Sequence, residues 1–119
     1  MSQIEIQLSV PQAEAFRLGK DLFDANGFQA GMTRRITDGA VITLARAPIE
    51  KRGTGVGGVV LDVILSLSEH VLGAAVYDWL KGRIADHPGV KIIIQQKEYN
   101  FENGDLKQLI ETSIDVEKK

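Results

Sequence analysis

Apolar and polar side chains alternate strictly at the start of the chain. Even-numbered positions from Ile4 to Val10 are apolar and the odd-numbered positions between them are polar, and this two-residue period predicts a half-buried β-strand. Pro11 follows at a position that the first turn of a helix tolerates. Apolar residues at helical spacing continue to Asn26-Gly27, a pair suited to a left-handed helix cap. A strand followed by a helix is therefore expected.

A β-hairpin is predicted next. Residues 28–36 and 40–46 are two candidate strands around the Thr-Asp-Gly turn at 37–39, which is a favourable hairpin sequence. Pro48 ends the second strand, and residues 49–58 are predicted to be a loop.

One long apolar helix is predicted over residues 59–86. A single polar stripe recurs there at spacings of three or four residues, formed by Asp62, Ser66, Glu69, Gly73 and Tyr77. The central acidic residues argue against a membrane span. A helix of about 30 residues would be about 45 Å long, so it either breaks near Gly73 or projects and offers an apolar interface. The alternative is that the C-terminal elements cover it.

The C-terminal third begins with a stop signal at residues 87–89, His-Pro-Gly. Residues 90–95 are strongly β-prone, residues 98–101 predict a second short strand, and a last helix begins at 103–105.

This order of elements predicts an α+β fold: a ferredoxin-like (split βαβ) sandwich, with an antiparallel sheet, both helices on one face, and an extra C-terminal strand and short helix. The 119 residues fit one domain, placed at 1–115, with a frayed tail at 116–119. Many activities use this fold, so the fold indicates none of them.

Composition restricts the chemistry. There is no cysteine, which excludes disulfides, thiolate metal sites and cysteine nucleophiles. The net charge of −2 gives no general attraction to nucleic acids or anionic lipids, and Arg34-Arg35 with Lys51-Arg52 form at most a small basic patch without aromatic residues between them. The N-terminus lacks the features of a secretory signal, so a cytoplasmic location is expected.

The glycine-rich segment at 53–58, of sequence GTGVGG, is a candidate phosphate loop before a helix. Six residues separate it from the preceding strand, however, and no G-K-[ST] follows. A flexible linker is the preferred interpretation. Under the alternative, a small ligand or phosphate would be bound by Lys51, Arg52, Gly53, Gly55, Gly57 and Gly58.

No catalytic residue, metal site or cofactor is predicted. Neither His70 nor His87 has a second donor at metal-ligand spacing, and His87 is expected to be a capping or solvated residue. Asp62, Glu69 and Asp78 offer a general acid and base only if the fold brings them together. A solvated helix stripe is the preferred interpretation of the three acids.

One sequence pattern extends over most of the chain. A long Ala/Val/Leu helix ends in Ala75-Val-Tyr-Asp-Trp79-Leu-Lys81 and is followed by the β-rich residues 90–101. This resembles the effector-associated constant component families of bacterial conflict systems, in which a similar AxxxWL[KR] helix precedes a β-rich run. The resemblance implies a non-enzymatic adaptor or regulator. The effector, such as a protease or nuclease, would be a separate polypeptide, since this sequence contains no effector domain.

The predicted function is therefore protein interaction without catalysis. The partner is an effector, a toxin or a second copy of the chain, and neither nucleic acid nor membrane is expected. The predicted contact residues on the long helix are Val63, Leu67, Val71 and Trp79. Two alternatives remain open: an immunity protein that neutralises a cognate toxin, and a ferredoxin-like domain that binds a small ligand at the glycine loop.

Overall fold

The structure is a computed structural model and describes residues 2–25, 27–51 and 58–117. The elements in chain order are β1 (Ser2–Pro11), α1 (Gln12–Phe23), β2 (Thr33–Thr37), β3 (Ala40–Leu44), β4 (Ile49–Lys51), β5 (Gly58–Leu67), α2 (Gly73–Ile84), β6 (Lys91–Ile94), β7 (Lys97–Tyr99) and α3 (Asp105–Glu117). The predicted first strand, first helix, hairpin turn, stop at 87–89 and last helix are confirmed. The first helix is shorter than predicted, because it ends at Phe23 with Asp24 as its left-handed cap and not at Asn26-Gly27.

The predicted long helix is wrong. Residues 58–67 form the strand β5, residues 68–72 are not helical, and only residues 73–84 form the helix α2. The error has a physical cause: β5 is a central strand, and its second face also carries apolar residues, Val60 and Ile64, which hide the two-residue period. Residues 49–51, predicted as loop, form β4 and pair with β5.

All strands belong to one antiparallel sheet in the order β2-β3-β5-β1-β6-β7, and β4 pairs with β5 beyond the end of β3. β1 and β5 pair along ten residues, from Ser2 opposite Leu67 to Pro11 opposite Gly58. The predicted α+β class and antiparallel sheet are confirmed.

The core lies on one face of this sheet. Alternate residues of β1 and β5, such as Leu8 and Leu65, are fully buried there. α1 and α3 pack on β1, α2 packs between them and contacts β2, and their buried residues join the strands in a single apolar cluster. The helices therefore cover this face, and no helix of the described residues covers the opposite face.

The last helix extends beyond the predicted domain boundary at residue 115, because α3 ends at Glu117. In the described ranges, no helix is long and apolar enough to cross a membrane.

Candidate functional site

The second face of the sheet is the surface that the helices of the described residues leave free. We call it the open face and define it by the strand residues opposite the core: Gln3, Glu5, Gln7, Ser9, Val41, Thr43, Ile49, Val60, Asp62, Ile64, Ser66 and Ile93. Ile49 is 52% exposed, and the other aliphatic residues of the set are half-buried. Aliphatic side chains and a polar rim thus share one continuous surface.

An ion pair lies near the middle of the open face. β3 ends at Leu44, opposite Val63. The amide of Ala45 still donates to the carbonyl of Asp62, and strand pairing with β5 resumes at Ile49. Pro48, which has no N–H to donate, lies in this interruption. The interruption brings Arg46 Nε to 3.2 Å from Asp62 Oδ2.

The Arg46–Asp62 pair is unequal in exposure. The Asp62 side chain is only 15% exposed, whereas the Arg46 side chain is 69% exposed. Such a pair contributes little to stability, but it neutralises the carboxylate that sits deepest in this face.

A cleft opens where β6 stops pairing with β1. β6 pairs with β1 only from Gln7 to Ser9, so the outer edge of β1 at residues 2–6 has no partner strand within the described part of the chain. The cleft has a volume of about 640 Å³ and is lined by this edge, by Gln95 and Gln96 of the β6–β7 turn, and by α3. It also extends over residues 62–64 of β5 and over Ala45 and Arg46 after β3. We call it the edge cleft. A second depression of about 290 Å³, over Val60 and Ile49, adjoins it.

The β6–β7 turn at the rim of the edge cleft has an unfavourable conformation. Both of its residues have positive φ, 51° at Gln95 and 67° at Gln96. Two-residue hairpin turns of this kind favour Asn-Gly, because side chains other than glycine are strained at positive φ. Two glutamines therefore hold the rim of the cleft at a cost in stability.

Three of the four predicted contact residues lie in the core. Val63, Leu67 and Val71 are 2%, 0% and 4% exposed, so they cannot form the predicted interface. Val63 and Leu67 belong to the buried row of β5, and Val71 lies in the segment that connects β5 to α2. Trp79 alone is partly exposed.

Trp79 lies beside two guanidinium groups on the helix side of the sheet. The Cζ of Arg83 is 5.3 Å and that of Arg34 is 5.7 Å from the indole centroid. Arg34 also donates a hydrogen bond to the carbonyl of Asp21 at the end of α1. This cluster joins α1, β2 and α2, and cation–π contacts of this kind contribute about 0.5–1 kcal/mol each.

The glycine-loop site remains a prediction. Arg52, Gly53, Gly55 and Gly57 lie outside the described residues. Lys51 is the last residue of β4, and Gly58 is the first residue of β5. Since β5 follows, the glycine segment does not precede a helix, and the helix N-terminus on which a phosphate loop depends is missing from this position.

His87 is the main residue whose role sequence reasoning missed. It is buried, 7% exposed, and not the capping or solvated residue that was predicted. Its Nε2 lies 2.6 Å from Asp21 Oδ2 and its Nδ1 lies 3.2 Å from Glu14 Oε1. The one signal available was the spacing of the two acids: seven residues apart on α1, they share a helix face.

The three predicted acids do not form a catalytic pair. Asp62 lies on the open face, Glu69 lies in the turn after β5, and Asp78 is exposed on α2 on the other side of the sheet. Within the described residues, no group of three histidine, aspartate or glutamate side chains could hold a metal ion.

Comparison with protein-family models, curated proteins and solved structures finds no match to this chain.

Proposed function

We propose that this chain is a cytoplasmic, non-catalytic protein-interaction module that binds a separate effector of a bacterial conflict system through the open face. The observation that carries the proposal is the one-sided packing of the helices, which leaves aliphatic side chains uncovered across the middle of the sheet. A continuous uncovered surface with apolar residues and a polar rim is typical of an interaction site.

We also propose that the central elements form a ferredoxin-like unit. In chain order these are β1, α1, β3, β5, α2 and β6, and in the sheet the four strands lie in the order β6-β1-β5-β3, all antiparallel. This order supports a split βαβ unit, with β2 added at one edge and β7 at the other. The predicted split βαβ unit assigned its strands differently, since residues 58–67 were placed in a helix.

The contact surface in this proposal differs from the predicted one. The long helix does not exist, and its proposed contact residues are mostly core, so the interaction is assigned to the open face instead. Ile49 and Val60 pair across β4 and β5, and Ile49 is the most exposed aliphatic residue of this face. An immunity protein would use the same surface, and the identity of the partner separates the two functions.

The test is a pull-down of the tagged chain from the lysate of its native host, with the mass of the eluted complex measured by light scattering. A stoichiometric effector or toxin that is lost in Ile49→Lys supports the proposal. Phe16→Lys is the matched control, because Phe16 is 55% exposed on α1 and Ile49 is 52% exposed on the open face.

Two results would contradict the proposal. A chain that elutes as a monomer without any partner would remove the interaction function. A partner that is lost in Phe16→Lys and retained in Ile49→Lys would place the interface on the helices. Thermal unfolding of both variants verifies that each remains folded.

A further inference from the structure

We propose that the edge cleft binds an extended peptide segment of a protein partner, which adds a strand to the free edge of β1 and places a basic side chain beside Glu5. This inference rests on the proposed function and names the chemistry of the partner segment.

The first support is the free backbone of β1. Residues 2–6 pair with β5 on one side, whereas β6 reaches only to Gln7 on the other side. In a strand, every second residue directs its N–H and C=O to the same edge. These groups offer an incoming strand the hydrogen bonds that bind peptides by strand addition.

The second support is the shape of the cleft beside that edge. Its volume of about 640 Å³, which includes the part over Asp62 and Ile64 of the open face, is in the range of about 300–1,000 Å³ that is typical of binding sites. Ile94 and Leu109 lie toward the core side, whereas Gln3 and Glu5 lie toward the open face. An extended peptide matches this arrangement, because its alternate side chains point to opposite faces.

The third support is charge. Asp62 is neutralised by Arg46, but Glu5 is exposed and forms no ion pair with any residue that the structure describes. Opposite charges that face each other across two strands are favourable and like charges are unfavourable. A lysine or arginine of the peptide, opposite Glu5, therefore complements the cleft.

The same argument disfavours a second copy of the chain as the occupant. If two β1 edges paired antiparallel about a two-fold axis at Ile4, each Glu5 would face Gln3 of the other copy. A two-fold axis at Glu5 would place two carboxylates opposite each other. Neither arrangement provides a cation, so a different polypeptide fits the edge better.

The fourth support is the strained turn at the rim. Gln95 and Gln96 both line the edge cleft and both adopt positive φ. Strained residues that persist in a fold are often found at binding sites. The turn thus places two long amide side chains at the end of the free edge. Both can donate and accept hydrogen bonds.

The experiment begins with a display library of random 12-residue peptides, selected on the immobilised full chain. Enriched peptides are synthesised, and their binding is mapped by changes in the backbone amide shifts of the ¹⁵N-labelled protein. We expect alternating apolar and basic peptides, with shift changes centred on residues 2–6 and on Gln95 and Gln96. Two N-methylated forms of each peptide are compared, one methylated at the odd-numbered amides and one at the even-numbered amides. Only one of the two forms should lose binding, because only one edge of the peptide faces β1.

The charge is tested with Glu5→Lys, which should weaken binding about tenfold, and with Glu5→Gln, which should weaken it less. Glu98→Lys is the matched control: Glu98 is also exposed and on a strand, in β7, but it does not line the cleft. Failure to enrich any peptide, binding that maps elsewhere, or equal effects of Glu5→Lys and Glu98→Lys would overturn the inference.

The two proposals fail in distinguishable ways. If the native partner is lost in Ile49→Lys but binds Glu5→Lys as tightly as the parent chain, the interaction function holds and the peptide inference is wrong. If the library and the native lysate both yield nothing, both proposals are wrong.

Discussion

The imidazole Nε2 of His87 lies 2.6 Å from the Oδ2 of Asp21, and this short contact connects the segment after α2 to the surface of α1. The other ring nitrogen faces Glu14. Both ring nitrogens thus lie within hydrogen-bond distance of a carboxylate of α1. These two contacts fix how α1 and the start of β6 lie together.

Replacing His87 should destabilise the fold. We expect His87→Ala to lower the free energy of unfolding by about 2–3 kcal/mol, because it removes a buried ring and its contacts with Glu14 and Asp21. Urea denaturation followed by circular dichroism measures this difference. His70→Ala is the control and should change the free energy by less than about 0.5 kcal/mol, since the His70 side chain is 86% exposed. Equal effects of the two substitutions would show that the cluster contributes nothing.

Adjacent residues of β5 should differ sharply in their tolerance of truncation. Leu65 is fully buried, so Leu65→Ala should lower the free energy of unfolding by about 3–5 kcal/mol. Ile64 is half-buried on the open face, and Ile64→Ala should lower it by about 1 kcal/mol. The same alternation should appear at Val63 and Asp62, with Val63 as the sensitive position. Sensitivity to truncation that recurs every three or four residues, instead of every two, would contradict the strand and support the helix predicted there.

Strands at different places in the sheet were unequally predictable from the sequence. β1 faces polar surroundings on one side, so Glu5 and Gln7 alternate with buried aliphatic residues and reveal the period of two. β5 is flanked along its length by β1 on one side and by β3 and β4 on the other. Its Val60 and Ile64 make both faces apolar, and such a run cannot be told from a buried helix by periodicity alone.

A better turn sequence between β6 and β7 should stabilise the protein. Replacing both residues, Gln95→Asn and Gln96→Gly, should raise the free energy of unfolding by about 1–2 kcal/mol, because these residues adopt positive φ with less strain. Thermal unfolding measures the gain. If the edge cleft binds a peptide, the same variant should bind it more weakly, because two lining amides are shortened or removed. No gain in stability would mean that the turn adopts another conformation in solution.

Two helical glycines should respond in opposite directions to alanine. Gly82 lies in α2, and an added Cβ would meet nothing within 4 Å, so Gly82→Ala should stabilise by about 0.5–1 kcal/mol. Gly19 lies in α1, and its added Cβ would fall 2.2 Å from Cε1 of Phe28. Gly19→Ala should therefore destabilise, because the Phe28 ring must move. Chemical denaturation of both variants provides the comparison, and a stabilising Gly19→Ala would contradict the close packing of Phe28 on α1.

The candidate site depends on features that no local pattern encodes. The glutamines at the β6–β7 turn carry no hairpin signal, since Asn and Gly are the residues that such turns favour. The edge cleft exists because β6 pairs with β1 over only three residues, and the point where a strand ends is set by its tertiary neighbours. His87 becomes buried only when the segment after α2 meets Glu14 and Asp21 of α1.

The long ladder between β1 and β5 also sets the order in which the chain can fold. Four elements, from α1 to β4, separate the two strands in the sequence, and β6, the other neighbour of β1, follows β5. At about 5–20 residues per second, the ribosome needs roughly 3–11 s to advance from the end of β1 to the end of β5. During that time β1 has neither neighbour. Contacts between distant segments dominate the central sheet, and such topologies fold slowly compared with helical bundles. The apolar row from Ile4 to Val10 is therefore the segment that most depends on protection while the protein is being synthesised.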